Sequence, residues 1–105
     1  MIAESDRVTY KFTDQIYIGN ADLLREQIDT LFTDTNSAYF VFDLEHVRLC
    51  DSYGLRLLLT FQRKADAAGR KLLLYRPDHL LKSMLETTQL TKVFTIVDNL
   101  ETYNG

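Results

Sequence analysis

The sequence is poor in the residues that break or cross-link a chain. It contains one cysteine, one proline, four glycines and no tryptophan in 105 residues. With Cys50 alone, no disulfide can form within the chain, and this favours a reducing cytoplasm. Linkers rich in proline or glycine, repeats and low-complexity tracts are all absent. We therefore expect a single domain over residues 1–105, with an ordered core from about residue 6 to residue 104.

Long apolar runs and an excess of basic charge are also missing. No apolar run approaches the roughly 20 residues of a membrane-spanning helix, and the polar first seven residues do not resemble a signal peptide. Twelve Lys and Arg face 15 Asp and Glu, which gives a net charge of −3. Because nucleic-acid phosphates select basic surfaces, we expect neither nucleic-acid binding nor membrane binding. A cytoplasmic location follows as an expectation.

Patterns for catalysis and for metal binding are weak. His46 and His79 are the only histidines that could serve as the base for a nucleophilic serine. Around Ser52 the G-x-S-x-G pattern fails, since Cys50 occupies the first glycine position. The acidic residues lack a metal-ligand spacing, and the glycines are too scattered for a nucleotide fingerprint. We expect no catalytic residue, metal or cofactor, and a hydrolase stays open only through the Ser52 hydroxyl.

Strand patterns and helix patterns alternate along the chain. Strands are indicated at residues 8–12, 16–18, 38–44, 70–75 and 93–97. Helices are indicated at residues 21–33, 55–68, 79–87 and, as a short frayed segment, 98–103. Asn20 and Asp78 are expected as N-caps, and Gly69 as the residue that closes the second helix. This order predicts an α/β fold with a mixed, mostly parallel sheet of four to five strands, about four helices and one antiparallel pair at the N-terminus.

The most informative segment is Asp51-Ser52-Tyr53-Gly54-Leu55, between the apolar strand at 38–44 and the next helix. Helix N-termini present unpaired N–H groups and the positive end of the helix dipole, so a hydroxyl there is well placed to carry a phosphate. Asp and Ser are also the residues preferred for simple helix capping. On these residues alone, a phosphorylated switch at Ser52 and plain capping by Asp51-Ser52 both remain open.

The chain resembles a STAS domain of the bacterial anti-sigma-factor antagonist type. The resemblance lies in Val41-Phe42-Asp43-Leu44, in Asp51-Ser52-Tyr53-Gly54-Leu55, in Gly69, and in the run from Leu85-Glu86-Thr87 to Val93-Phe94. It covers nearly the whole domain in the same order and spacing. It implies a STAS fold, in which a mixed sheet is packed with helices, and a non-enzymatic binding protein.

The resemblance also implies partners and a switch. An anti-sigma factor that is also a serine kinase would bind while Ser52 is unphosphorylated, phosphorylation of Ser52 would break the complex, and a serine phosphatase would restore it. A homodimer is a further expectation. Because both segments should lie near one end of a sheet with this connectivity, we expect the partner surface to combine the connection at 14–20 with residues 50–57. Its residues are Tyr17, Ile18, Asn20, Asp51, Ser52, Tyr53, Gly54, Leu55 and Arg56.

Several positions depart from the family pattern. Tyr17 stands where the family often has an acidic residue, Tyr53 is bulkier than the usual neighbour, and Gln89 replaces a glycine. Arg56 stands where a small residue is common and follows Ser52 by four positions, so it is either a phosphate partner or a plain surface charge. The alternative function is a STAS scaffold or accessory subunit of a transport or signalling complex that is never phosphorylated.

Overall fold

The computed structural model describes residues 2–103. The strands are β1 (Arg7–Lys11), β2 (Tyr39–Asp43), β3 (Lys71–Tyr75) and β4 (Thr95–Val97). The α-helices are α1 (Ala21–Asp34), α2 (Ser52–Ala67) and α3 (His79–Thr87), and short 3-10 turns lie at Glu4–Asp6 and Leu90–Lys92. Residue 104 of the expected ordered core, and residues 1 and 105 of the expected domain, lie outside the described residues.

The four strands form one parallel sheet in the order β1-β2-β3-β4. Alternate strand residues point into a core shared with α1, α2 and α3, so all three helices pack on one face of the sheet. Aromatic rings fill much of this core, and the rings of Phe12 and Phe42 meet edge to face with centroids 5.1 Å apart. This packing fixes the start of α2 above the ends of β1 and β2.

The opposite face of the sheet carries no helix within residues 2–103. Val41 and Leu73 on that face are fully buried, because Ile2 at one end of the chain and Leu100 and Tyr103 at the other pack against them and their neighbours. Terminal segments therefore replace a second helical layer and complete the burial of the central strands.

Arg70 joins the end of α1 to the start of β3. Its guanidinium donates to the carbonyl oxygens of Phe32 (2.8 Å), Thr35 (3.2 Å) and Ser37 (2.7 Å), which lie at and just beyond the end of α1. The same group lies 4.3 Å from the centroid of the Phe32 ring and 5.1 Å from that of Phe40. Burial lowers the pKa of Arg70 from its ordinary value. These contacts of Arg70 connect the C-terminal end of α1 to the sheet.

The predicted antiparallel pair at the N-terminus is wrong. Residues 16–18 do not return alongside β1, and Ile16 instead forms a single parallel bridge with Cys50. The Ile16 N–H donates to the Leu49 carbonyl (2.9 Å), and the Asp51 N–H donates to the Ile16 carbonyl (3.1 Å). The loop before α2 therefore takes the backbone groups that a hairpin with β1 would have used.

The helix boundaries are close to those predicted, but α2 begins at Ser52 rather than at residue 55, and two further expectations need correction. Asp78 caps α3 by accepting from the Leu81 N–H (2.9 Å), and Gly69 has the left-handed φ of 69° expected after α2. Asn20 precedes α1 but makes no capping bond to it. Residues 98–103 form turns rather than a fourth helix, and the Asn99 side chain accepts from the Glu101 N–H there (2.9 Å).

Candidate functional site

Two connections meet at the carboxyl ends of β1 and β2. The connection 12–20 follows β1, the loop 44–51 follows β2, and the Ile16–Cys50 bridge joins them. Carboxyl ends of parallel strands are the usual place for a binding site in an α/β fold. The bridge brings Tyr17, Ile18 and Asn20 beside the start of α2, where the other predicted partner residues lie.

The Asp51 carboxylate ties these two connections together. One of its oxygens accepts from the Gly54 N–H of α2 (2.9 Å) and the other accepts from the Ile18 N–H of the neighbouring connection (3.0 Å). The Gly54 hydrogen bond first, and then the Ile18 bond, lower the pKa of Asp51 from its ordinary value. Asp51 is therefore both the N-cap of α2 and a cross-link between backbone segments.

Asn20 plays a similar part within its own connection. Its side-chain oxygen accepts from the Tyr17 N–H (3.0 Å), and its side-chain amide donates to the Gln15 carbonyl (2.5 Å). The Tyr17 ring lies directly over Gly19, where a Cβ would be 2.6 Å from the ring. Asn20 thus shapes the turn that presents Tyr17 and acts on the site through the backbone.

Gly54 allows α2 to approach the neighbouring connection closely. A Cβ at this buried position would lie 2.8 Å from the Cys50 sulphur and 2.9 Å from an Ile16 side-chain carbon, and closer still to the Ile16 carbonyl oxygen. Only glycine leaves room for that approach. The sequence motif contains Gly54, but this steric role becomes visible only with the Ile16–Cys50 bridge.

Ser52 is the first residue of α2 and its side chain is exposed. The capping bond to Gly54 comes from Asp51, and no hydrogen bond of the Ser52 hydroxyl is found within residues 2–103. Asp51 therefore caps the helix, and the hydroxyl of the adjacent Ser52 is left free. The Ser52 hydroxyl stands at a helix N-terminus with nothing in the described structure that competes for it.

Exposed apolar side chains surround Ser52. Tyr17 is 36% exposed, Ile18 61% and Tyr53 46%. The guanidinium of Arg56 lies over the Tyr53 ring, 5.7 Å from its centroid. Leu55 is half-buried and packs against the core, so it contributes less to the surface than predicted.

Leu49, which is 50% exposed in the loop before Cys50, is a surface residue that the sequence reasoning missed. The available signal was a leucine that follows Arg48 in a segment without strand or helix periodicity. An apolar residue there has no regular element to bury it.

Cys50 lies behind this surface and is half-buried. Burial, and then the neighbouring Asp51 charge, raise the pKa of its thiol to about 12. A thiol of this kind is neutral near pH 7 and weakly nucleophilic. Cys50 is therefore a packing residue in this structure.

The described residues offer little for other chemistries at this site. His46 and His79 are exposed, and neither forms a hydrogen bond with Ser52. Across residues 2–103, no three His, Cys, Asp or Glu side chains cluster as metal ligands would. None of the helices in the same range is both long and apolar enough to cross a membrane.

Several solved structures share this α/β fold. TM1081 from Thermotoga maritima, a candidate anti-sigma factor antagonist, matches with a TM-score of 0.85 at 21% identity, over 96% of this chain and 86% of that one. A sulfate transporter family protein from Wolinella succinogenes matches with a TM-score of 0.80 at 19% identity, over 96% and 84%. The unphosphorylated anti-sigma factor antagonist SpoIIAA of Bacillus matches with 0.69 at 16% identity, over 96% and 87%. Likeness at these identities shows the fold.

Comparison with protein families identifies the family of the chain as well as its fold. The STAS domain family matches residues 1–103. The chain belongs to the STAS domain family, as the resemblance of the segment from Asp51 to Leu55 predicted. The predicted STAS fold is confirmed, with four strands and three α-helices where about four helices were expected.

Proposed function

We propose that this protein is an anti-sigma-factor antagonist that works by reversible partner binding. Its partner is an anti-sigma factor that is also a serine kinase, and Ser52 is the residue that the kinase modifies. The observation that carries the proposal is the free Ser52 hydroxyl at the N-terminus of α2, inside a surface of exposed Tyr17, Ile18 and Tyr53. Aromatic side chains that are exposed in this way are enriched at interface hot spots.

Phosphorylation at Ser52 would act on binding rather than on folding. A phosphate adds about −1.5 to −2 charges, and the N–H groups and dipole of a helix N-terminus tolerate that charge. Inside a protein interface, the phosphate would be repelled by the ionised Asp51 carboxylate beside it, and removing water from the phosphate would cost free energy. In support, SpoIIAA matches this chain with the same TM-score of 0.69 in its unphosphorylated and phosphorylated forms, so one fold accommodates both states of that protein.

The remaining features of the proposal follow from this switch. A serine phosphatase returns Ser52 to the binding state, and the protein itself is not an enzyme. The predicted contact residues are Tyr17, Ile18, Asn20, Asp51, Ser52, Tyr53, Gly54, Leu55 and Arg56. The proposal places the protein in a bacterial cytoplasm, in transcription regulation, with no cofactor and with a homodimer as one available assembly.

A second candidate is a STAS subunit that scaffolds a transport or signalling complex without phosphorylation. The match to the Wolinella succinogenes sulfate transporter family protein favours it, because its TM-score of 0.80 lies between the 0.85 of TM1081 and the 0.69 of SpoIIAA. The two candidates differ at one atom. A switch needs the Ser52 hydroxyl, whereas a scaffold needs only the surrounding surface.

The deciding experiment uses affinity purification from the native host with wild type, Ser52→Ala and Ser52→Asp, followed by mass spectrometry of partners and of Ser52. We expect a kinase-type partner on wild type and Ser52→Ala, phosphate on wild-type Ser52, and loss of the partner from Ser52→Asp. Ser83→Asp, on the exposed side of α3, is the matched control and should keep the partner. Unchanged binding by Ser52→Asp together with an unmodified Ser52 would favour the scaffold.

A further inference from the structure

The cationic side chains of this acidic protein are mostly engaged within the fold. Within residues 2–103, four ion pairs are present: Arg25 with Asp22, Lys64 with Asp29, Arg76 with Glu45, and Lys82 with Asp98. Arg70 is held by carbonyl groups at the end of α1. Within α2, Lys64 is paired, whereas Arg56 and Arg63 have no carboxylate partner anywhere in residues 2–103, a property that they share with Lys92 outside the helix.

Arg56 and Arg63 lie on the same side of α2, seven residues and about two turns apart, which is roughly 10 Å along the axis. Both line one shallow groove on the outer surface of the helix, which we call the α2 groove. The groove is lined by Ser52, Leu55, Arg56, Leu59, Thr60 and Arg63.

The lining of the α2 groove is mixed, with polar and apolar surface in similar amounts. Leu55 and Leu59 are half-buried there, and the Thr60 hydroxyl already donates to the Arg56 carbonyl (2.9 Å). The guanidinium of Arg56 lies over the Tyr53 ring and makes no hydrogen bond or ion pair within the described residues. Two cations without counterions therefore lie beside two half-buried leucines on α2. A partner that offers carboxylates next to apolar side chains would complement this arrangement.

We propose that the α2 groove receives an acidic amphipathic helix of the protein partner. Its occupant would place apolar side chains on Leu55 and Leu59 and carboxylates against Arg56 and Arg63, so its acids would be spaced about two turns apart. The inference rests on the proposed function for the identity of the partner. It extends the interface from the tip of α2 along most of the length of the helix.

The position of Ser52 in the same groove gives this contact a regulatory meaning. A phosphate on Ser52 is one turn from Arg56 and competes with the partner carboxylate for that guanidinium. Arg63 is eleven residues from Ser52, about 16 Å along the axis, and lies beyond the reach of the phosphate. Arg63 is therefore the residue at which the groove can be tested separately from the switch.

The test compares Arg63→Glu with Lys92→Glu. Both residues are exposed and have no carboxylate partner in the described structure, and both changes shift the net charge equally. The binding partner is the kinase recovered on wild type, purified and titrated calorimetrically at low and high salt. We expect Arg63→Glu to weaken low-salt binding about tenfold, and Lys92→Glu to stay within about twofold. High salt should reduce the difference in affinity between the two variants, because salt screens the interaction between charges.

Two outcomes separate this inference from the proposed function. If the kinase binds Arg63→Glu and Lys92→Glu equally well, the α2 groove is not its docking site and the inference fails while the switch stands. If no kinase binds wild type, the proposed function fails, and a synthetic peptide then decides about the groove.

That peptide is a helix with two glutamates about seven residues apart and leucines between them. Amide shifts along residues 55–63 that disappear in Arg63→Glu would support the groove. No shift, or the same shift from a peptide with lysine in place of glutamate, would overturn it.

Discussion

At the scale of single residues, Asp51 shows how one carboxylate can serve two segments. Its oxygens hold the Gly54 N–H within α2 and the Ile18 N–H in the neighbouring connection. Ionisation strengthens both bonds, which is why its pKa is lowered. The exposed Ser52 hydroxyl is then presented by a helix end whose geometry Asp51 fixes.

This arrangement predicts a specific pH dependence. Because the folded-state pKa of Asp51 lies below the unfolded value of about 3.9, its contribution to the free energy of unfolding is fully present above about pH 4. That contribution is lost as the pH falls through the folded-state pKa. In Asp51→Asn, the unfolding free energy should therefore fall less steeply below pH 4 than in wild type.

Urea denaturation from about pH 2.5 to 6 measures this difference. Asp14→Asn, which changes an exposed aspartate on the neighbouring connection, serves as the control and should follow wild type more closely. Parallel curves for wild type and Asp51→Asn would show that the carboxylate charge does not stabilise the helix end.

Tyr17 and Tyr53 are the residues from which we expect the largest single contributions to partner binding. Both are partly exposed, and their outer edges are not needed by the core. Tyr17→Ala and Tyr53→Ala should each weaken binding by more than about 1 kcal/mol, with little change in unfolding free energy. Leu23→Ala, which changes an exposed residue on α1, is the matched control. Calorimetric binding indistinguishable from wild type in both tyrosine variants would place the interface elsewhere.

At the scale of elements, the start of α2 is fitted tightly against the connection that precedes α1. Gly54→Ala would drive a methyl group into the Ile16 carbonyl and the Cys50 sulphur, and the helix would have to move. We expect a loss of about 2 to 3 kcal/mol in unfolding free energy, the upper part of the range for overpacking.

Gly69→Ala separates this clash from the general effect of replacing a glycine. A Cβ at Gly69 meets empty space, and the strain of its φ of 69° should cost about 1 kcal/mol. Urea unfolding of both variants gives the comparison. Equal losses of unfolding free energy in the two variants would mean that α2 can move away from Ile16 and make room for the added methyl group.

The α2 helix also carries the predicted coupling between Ser52 and Arg56. One turn separates them, so a phosphate on Ser52 should draw the Arg56 guanidinium away from the Tyr53 ring. Arg56→Ala should then lower the melting temperature of the phosphorylated form more than that of the unmodified form, by about 1 to 3 °C. Arg63→Ala, on the same helix face but out of reach, should shift both forms alike. If Arg56→Ala also shifts the melting temperatures of both forms equally, Arg56 is not coupled to Ser52 and is a plain surface charge or a partner contact.

At the scale of the whole molecule, burial is asymmetric because helices cover one face of the sheet and terminal segments cover the other. Tyr103 packs edge to face on Tyr39, with ring centroids 6.4 Å apart. Tyr103→Ala should lower the unfolding free energy by about 1 kcal/mol and leave partner binding unchanged, since the site lies at the carboxyl ends of the strands. The exposed neighbour in Thr102→Ala should change neither. Weakened partner binding in Tyr103→Ala would show that the two faces are coupled.

The periodicity of apolar residues in the sequence was sufficient to predict most of the helices and strands. The apolar run at 38–44 and the Asp78 cap both had local physical causes, and both proved correct. The return strand at 16–18 failed because Ile16 pairs with Cys50, 34 positions away, and no local pattern reports such a partner. The same bridge explains why the motif could suggest Ser52 but could not reveal the tight fit at Gly54.

The raised pKa of the Cys50 thiol makes this residue a natural reporter of local motion. It is the only cysteine in the chain and it lies between Ile16 and Gly54. Because the pKa of its thiol is raised, we expect it to react slowly at neutral pH while the loop is closed. An aromatic disulfide reagent would modify it chiefly during moments of opening, so the labelling rate measures how often the loop before Ser52 separates from its neighbour. Cys50 labelling would therefore report, without any engineered label, how often the loop beside Ser52 opens.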